Sequence, residues 1–110
     1  IRYRTSRPLD DFVFGVAWHR PDGTEVAGHN THLDRLAPRR LDGAGEVRCA
    51  YSALDLAPGR YLVDVAVHGV GGRAYDYWCD ALAIQVTSNV DWPGVWAPPH
   101  RWEWDGEAFE

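Results

Sequence analysis

The sequence predicts an all-β, immunoglobulin-like antiparallel sandwich, and three observations carry that expectation. Apolar side chains recur every second residue in several short runs, Gly, Pro and Asp punctuate the gaps, and no stretch holds a 3.6-residue apolar stripe. At 110 residues the chain is expected to form one domain over 1–110, long enough to close a single core without disulfide staples. Ile1 reads as the inside of a strand, so the chain is expected to be a piece of something longer.

In order, "FVFGVAWH" sets Phe12, Phe14, Val16 and Trp18 on one side and Val13, Gly15, Ala17 and His19 on the other, the period of two that sends alternate side chains to opposite faces. "RPDGTEV" supplies turn chemistry at Pro21, Asp22 and Gly23, which predicts a hairpin over 12–27. "DRLAPRRLDGAG", 34–45, has no period and is expected to be a surface loop between sheets. "EVRCAYS" alternates Val47, Cys49 and Tyr51 against Glu46, Arg48 and Ala50 and reads as a strand. "LAPGRY", 56–61, is a Pro-Gly turn feeding a tyrosine at the head of a strand, the pattern of a tyrosine corner. "RYLVDVAVHG" then alternates Tyr61, Val63, Val65 and Val67 against Leu62, Asp64, Ala66 and His68. "YDYW" is expected to be the approach to a last core strand, "ALAIQV", with Leu82, Ile84 and Val86 inward. Cys49 and Cys79 are expected to be reduced, buried thiols, since two cysteines make no metal site and their separation does not fit an antibody-type disulfide.

Composition excludes several functions. A net charge of −5 and a pI near 5.4 speak against nucleic acid or an anionic membrane surface, which reward a clustered basic face. All 11 basic residues are arginine, so there is no phosphate-loop lysine, and no G-x-S-x-G elbow is present. No apolar run approaches a membrane span and no leader opens the chain. His29 and His32 in "HNTH" lie three apart, but nothing in their spacing demands a metal; no cofactor, metal or catalytic residue is expected. Sixteen carboxylates allow a glycosidase pair by chance alone and do not support one.

One pattern rises above background. If the apolar set fills the space between sheets, the opposite face carries Gly15, Ala17, His19, Asp64, Ala66, His68, Ala83 and Gln85. Small residues at its middle leave a shallow floor, and hydrogen-bonding groups lie at its ends. Either a ligand lies there or the chain's own tail or a second subunit covers it. The tail, 89–110, carries Trp92, Trp96, Trp102 and Trp104, four of the six tryptophans; these rings are expected to dock or to bind.

"FGVAWHRPDGTEVAGHNT", then "LAPGRYLVDVAV", "YDYWCDALAIQV" and finally "HRW" resemble the C-terminal domain of Wzt-type ATPase subunits of ABC transporters that export lipid-linked O-antigen. The resemblance runs from about Phe12 to Trp102. It implies an immunoglobulin-like sandwich that recognises the exported polysaccharide, lies in the cytoplasm, and pairs with itself, with exchange of C-terminal strands. It also implies a first strand and an ATP-hydrolysing domain ahead of Ile1, and a transmembrane permease as partner of the parent chain. Asn30, Thr31 and Asp76 match family positions.

Sugar rings stack their C–H faces on aromatic rings, and their hydroxyls need planar donors and acceptors. The carbohydrate site is therefore expected at His19, Asn30, Asp64, His68, Tyr75, Tyr77, Trp78 and Gln85, with the aromatic trio divided between a stacking rim and a seal at the sandwich edge. The expected task is non-catalytic binding of O-antigen polysaccharide for substrate selection. The alternatives are an immunoglobulin-like protein–protein assembly module and, more distantly, a glycan-cleaving enzyme.

Overall fold

The computed structural model describes residues 1–36 and 40–108. The strands are β1 (Arg2–Arg4), β2 (Val13–His19), β3 (Glu25–Asn30), β4 (Ala44–Glu46), β5 (Gly59–His68), β6 (Ala74–Val86), β7 (Glu103–Trp104) and β8 (Glu107–Ala108). No helix forms among the described residues, so none is long and apolar enough to cross a membrane. The main sheet has the order β3-β2-β5-β6, and two ribbons, β1-β4 and β7-β8, complete the set, all antiparallel. The all-β expectation is met.

The predicted hairpin forms as β2 and β3, turning where the Asp22 carboxylate accepts the Thr24 N–H at 2.9 Å and Gly23 takes a φ of 90°, a value that glycine adopts without a Cβ clash. Behind the inner face lie two apolar clusters. Phe12, Phe14 and Leu41 gather Ile1, Tyr3, Leu9, Val47, Val67 and Tyr75 at one end. Trp18, Tyr61 and Val63 gather Val16, Val26, Leu56, Ile84, Val86 and Val95 at the other. The tyrosine corner is present: Tyr61, fully buried, donates its hydroxyl to the Ala57 carbonyl at 2.6 Å.

Several expectations are corrected. The 34–45 stretch is not simply a loop, although its residues 37–39 lie outside the described ones. Leu41 is buried and bridges Leu9, and Ala44–Glu46 is a strand paired with β1. The "EVRCAYS" strand is confined to its start: Glu46 ends β4, Val47 exchanges backbone hydrogen bonds with Ile1 at 2.7 and 2.8 Å, and 48–51 lie outside any strand. Tyr51 instead uses its side chain, accepting the Trp18 indole N–H at 3.0 Å and bonding His29 Nε2. Both cysteines are exposed, not buried. "YDYW" is no approach segment: it lies within the 13-residue β6.

Leu82, expected inward, is exposed. It does point to the inner face, opposite Val63, but the inner packing covers only the ends of β6, at Tyr75 and at Ile84 and Val86, and not its middle. Trp78, opposite Val65 on that face, is likewise exposed. Period two sets the face of a side chain, and only the partner layer sets its burial.

A bulge interrupts the β5–β6 ladder. Val63 pairs with Leu82 and Val65 with Trp78, so Asp64 alone opposes Cys79, Asp80 and Ala81. Asp80 takes a φ of 53°, a left-handed conformation that Asp tolerates better than most residues. Its N–H, displaced from the ladder, donates to Asp64 Oδ1 at 2.7 Å. An in-sheet carboxylate thus replaces a missing backbone acceptor.

Candidate functional site

The outer face of the main sheet carries the small-residue floor. Registers place Gly15 beside Asn30 and Ala66, Ala17 beside Gly28 and Asp64, and Ala66 beside Tyr77. These residues line a groove of about 550 Å³ whose walls include Asn30, Asp64, His68 and Tyr77. Glu25 reaches over Gly28 at its far edge: a Cβ added there would lie 3.6 Å from Glu25 Oε1. The floor stays low because Gly and Ala cannot project above the pleat.

Each wall residue keeps hydrogen-bonding capacity. Asn30 Oδ1 accepts the Leu33 N–H at 2.7 Å, which leaves its amide NH₂ to donate. His68 Nδ1 lies 2.9 Å from the Gly69 carbonyl; a carbonyl only accepts, so Nδ1 carries the proton and Nε2 is the free acceptor of the neutral ring. Tyr77 donates its hydroxyl to Asp64 Oδ2 at 3.0 Å, which fixes its ring as one wall. That bond to a carboxylate raises the Tyr77 pKa above the ordinary phenol value, so the hydroxyl stays protonated.

At one end of the groove His19 joins Asp64 and Asp80. His19 Nε2 lies 3.3 Å from Asp64 Oδ1 and 3.1 Å from Asp80 Oδ1, while Nδ1 lies 3.0 Å from the Arg20 carbonyl. The His19 pKa is raised, first by the Arg20 carbonyl and then by Asp64 and Asp80, with desolvation opposing. Asp64 is held below the usual carboxylate value, chiefly by the Asp80 N–H and then by Tyr77 and His19. Among the described residues this is the group whose nitrogen and oxygen donors stand close enough to hold a metal ion. Asp80 was no candidate by sequence, because a bulge that folds residue 80 onto residue 64 leaves no mark in the alternation.

The expected site residues therefore divide. Asn30, Asp64, His68 and Tyr77 line one groove, and His19 abuts it through Asp64. Gln85 shares the outer face but lies beyond the groove, paired with Arg60. Tyr75 is placed elsewhere: it is the extra residue between the Val67–Asp76 and His68–Ala74 pairs, packs on the Phe12–Phe14–Leu41 cluster, and donates to the Asp11 carbonyl at 2.9 Å. Trp78 faces the opposite side, over a second cavity of about 460 Å³ between β1 and the main sheet. Asp76, which matches a family position, sits in β6 and accepts the Tyr77 N–H at 2.9 Å.

Against known proteins, the family model described as the Wzt C-terminal domain matches residues 1–97. The chain belongs to the Wzt C-terminal domain family. It is 26% identical over 95 residues to the O-antigen export system ATP-binding protein RfbB of Myxococcus xanthus, covering 86% of this chain and 21% of that protein. A crystal structure of the C-terminal domain of Wzt superposes with a TM-score of 0.76 at 22% identity, over 93% of this chain and 65% of that one. The chain thus spans about a fifth of the length of RfbB and less than two thirds of the solved domain. The Wzt C-terminal fold places the groove on the main sheet's outer face and the open cavity on its inner one.

Proposed function

We propose that this Wzt C-terminal domain binds a segment of O-antigen polysaccharide in the outer-face groove and so selects cargo for an ABC exporter, without catalysing a reaction. The observation that carries this reading is the floor of Gly15, Ala17, Gly28 and Ala66 walled by Asn30, Asp64, His68 and Tyr77. A pyranose can lie flat on that floor, with the Tyr77 ring as an apolar wall and the Asn30 amide, Asp64 carboxylate and His68 imidazole within reach of its hydroxyls. An open groove binds each sugar weakly, and repetition along the glycan multiplies that strength. The parent chain would carry the ATPase domain, work with a transmembrane permease, and hold this domain in the cytoplasm.

Calorimetric titration with the O-polysaccharide of the source organism tests the reading. Saturable binding to the wild type, abolished by Ala66→Trp, which fills the floor, and weakened about five- to thirtyfold by His68→Ala, is expected, since each lost polar contact is worth roughly 1–2 kcal/mol. Binding that survives Ala66→Trp would move the site elsewhere, and no binding at millimolar glycan would leave the protein-assembly alternative.

A second role, self-association, is favoured by surface area. The chain exposes 8675 Å², whereas a compact monomer of its 12.4 kDa exposes about 6,100 Å². Trp78 and Leu82 are uncovered on the inner face, and Trp96, Trp102 and Trp104 are exposed in the tail. We propose that two copies pair with tails crossing onto each other's open inner face, which would bury the excess.

A further inference from the structure

We propose that His19, Asp64 and Asp80 form a binding site for one divalent first-row transition cation of the zinc or manganese type. The three donors come from β2, β5 and the β6 bulge, and their ligating atoms all lie within 4.8 Å of one another. Three features of the cluster point to a cation larger than a proton.

Separation is the first. Direct N⁺–H···O⁻ bonds measure about 2.7–2.9 Å, but the two nitrogen–oxygen distances here are 3.1 and 3.3 Å. Ligands bound at about 2.0–2.2 Å to a tetrahedral or octahedral ion stand about 2.9–3.5 Å apart. The two edges that meet at His19 Nε2 have the lengths found in a coordination polyhedron, and the third, between the carboxylate oxygens, is within 4.8 Å.

The second is the tautomer. With Nδ1–H committed to the Arg20 carbonyl at 3.0 Å, the neutral ring aims its Nε2 lone pair at two carboxylate oxygens. Three acceptors facing one another need a positive charge between them, which a proton on Nε2 supplies when the ring is charged and a bound cation can supply when it is neutral. A histidine whose far nitrogen donates to a backbone carbonyl is also the usual outer-shell arrangement at metal sites, because it orients the ring and raises its basicity.

Preorganisation with an open side is the third. Asp64 is gripped by the Tyr77 hydroxyl and the Asp80 N–H at 3.0 and 2.7 Å, so it needs no ion to hold its place. The Asp80 side chain is 56% exposed, which leaves the remaining coordination positions to water. Two carboxylates neutralise a divalent ion, and the imidazole selects transition ions over magnesium and calcium, which take oxygen. This site stands whether or not the groove binds glycan, and its test contains no sugar.

The test is calorimetric titration of chelator-stripped protein with zinc and with manganese chlorides at pH 7.5. It is run on the wild type and on a Cys49→Ser/Cys79→Ser variant, since Cys79 adjoins the bulge and a thiol could take zinc by itself. One equivalent bound in both proteins, weakened at least tenfold by His19→Ala and by Asp80→Asn, supports the site. Asp80→Asn keeps the side chain's tolerance of the left-handed backbone and so keeps the test meaningful should His19→Ala misfold. Binding lost in the serine variant yet kept in Asp80→Asn, or no saturable binding of either ion, overturns it.

Discussion

Tyr61 and His19 look alike in the sequence, each a polar ring in an alternating run, and the structure gives them different duties. Tyr61 is fully buried with its hydroxyl on the Ala57 carbonyl. Tyr61→Phe should therefore cost about 1–3 kcal/mol in urea unfolding, because a buried acceptor loses its partner while packing is preserved. His19 is solvent-touched and faces Asp64 of β5 and Asp80 of β6, with Glu25 of β3 as its register partner. Its folded pKa is raised above 6.5, so without metal its stabilising contribution is present below about pH 6.5 and is lost as pH rises through the raised value. Asp64 is depressed below 3.8, so its contribution is present above about pH 3.8 and is lost as pH falls through the depressed value. In chelator, the difference in melting temperature between wild type and His19→Gln should be largest between about pH 4 and 6.5 and should shrink toward pH 8. A difference constant across that range would mean that His19 keeps one charge state throughout. Both tyrosine corner and pH-sensitive histidine were legible as residue types; the partners of His19 were not.

At the scale of the element, β6 is where alternation and fold part company. Trp78 and Leu82 are four residues apart while their partners Val65 and Val63 are two apart, so the Cys79–Ala81 bulge loops out two residues and, that number being even, leaves the runs "YDYW" and "ALAIQV" in phase. Asp64 closes the gap by accepting the Asp80 N–H. Asp64→Ala should then cost about 1 kcal/mol in equilibrium unfolding, discounted for its access to water, and should speed hydrogen exchange at Asp80. Protection at Asp80 unchanged by the substitution would place the clip elsewhere. A similar economy explains β1 and β4: at three residues each they are too short to show a period, yet Tyr3 lies over Gly45, its register partner. A Cβ at that position would clash with the phenol oxygen and the adjoining ring carbons of Tyr3, so Gly45→Ala should destabilise by about 1–3 kcal/mol.

For the whole molecule, shape is the informative quantity. The radius of gyration is 18.4 Å, with extents of 63 × 30 × 23 Å, against about 13 Å for a compact domain of this length. The main sheet and its two clusters form a body, and the chain beyond Val95–Ala97, which pairs with Asp55–Ala57, adds length without adding core. Sedimentation equilibrium should give a dimer, and Trp102→Ser with Trp78→Ser should shift it toward monomer with little change in far-ultraviolet circular dichroism. A wild type that remains monomeric at high micromolar concentration would contradict the pairing of tails.

What the amino-acid order determined was the class of the fold and the face of most side chains: period two, turn residues and a tyrosine after Pro-Gly are local signals, written within a few positions. It also separated the small-residue floor from the apolar face and put His19, Asp64 and His68 on the floor's side, whereas Asn30 and Tyr77 came to that groove through the strand registers. Tertiary structure alone decided the rest. Tyr75 became a seal because a bulge falls beside it in β6, while Trp78 keeps the inward phase of Leu82, Ile84 and Val86; Leu82 and both cysteines are exposed because no layer covers them; and Asp80 met His19 through a left-handed residue. Burial and convergence depend on residues far apart in the chain, whose distances no local period records.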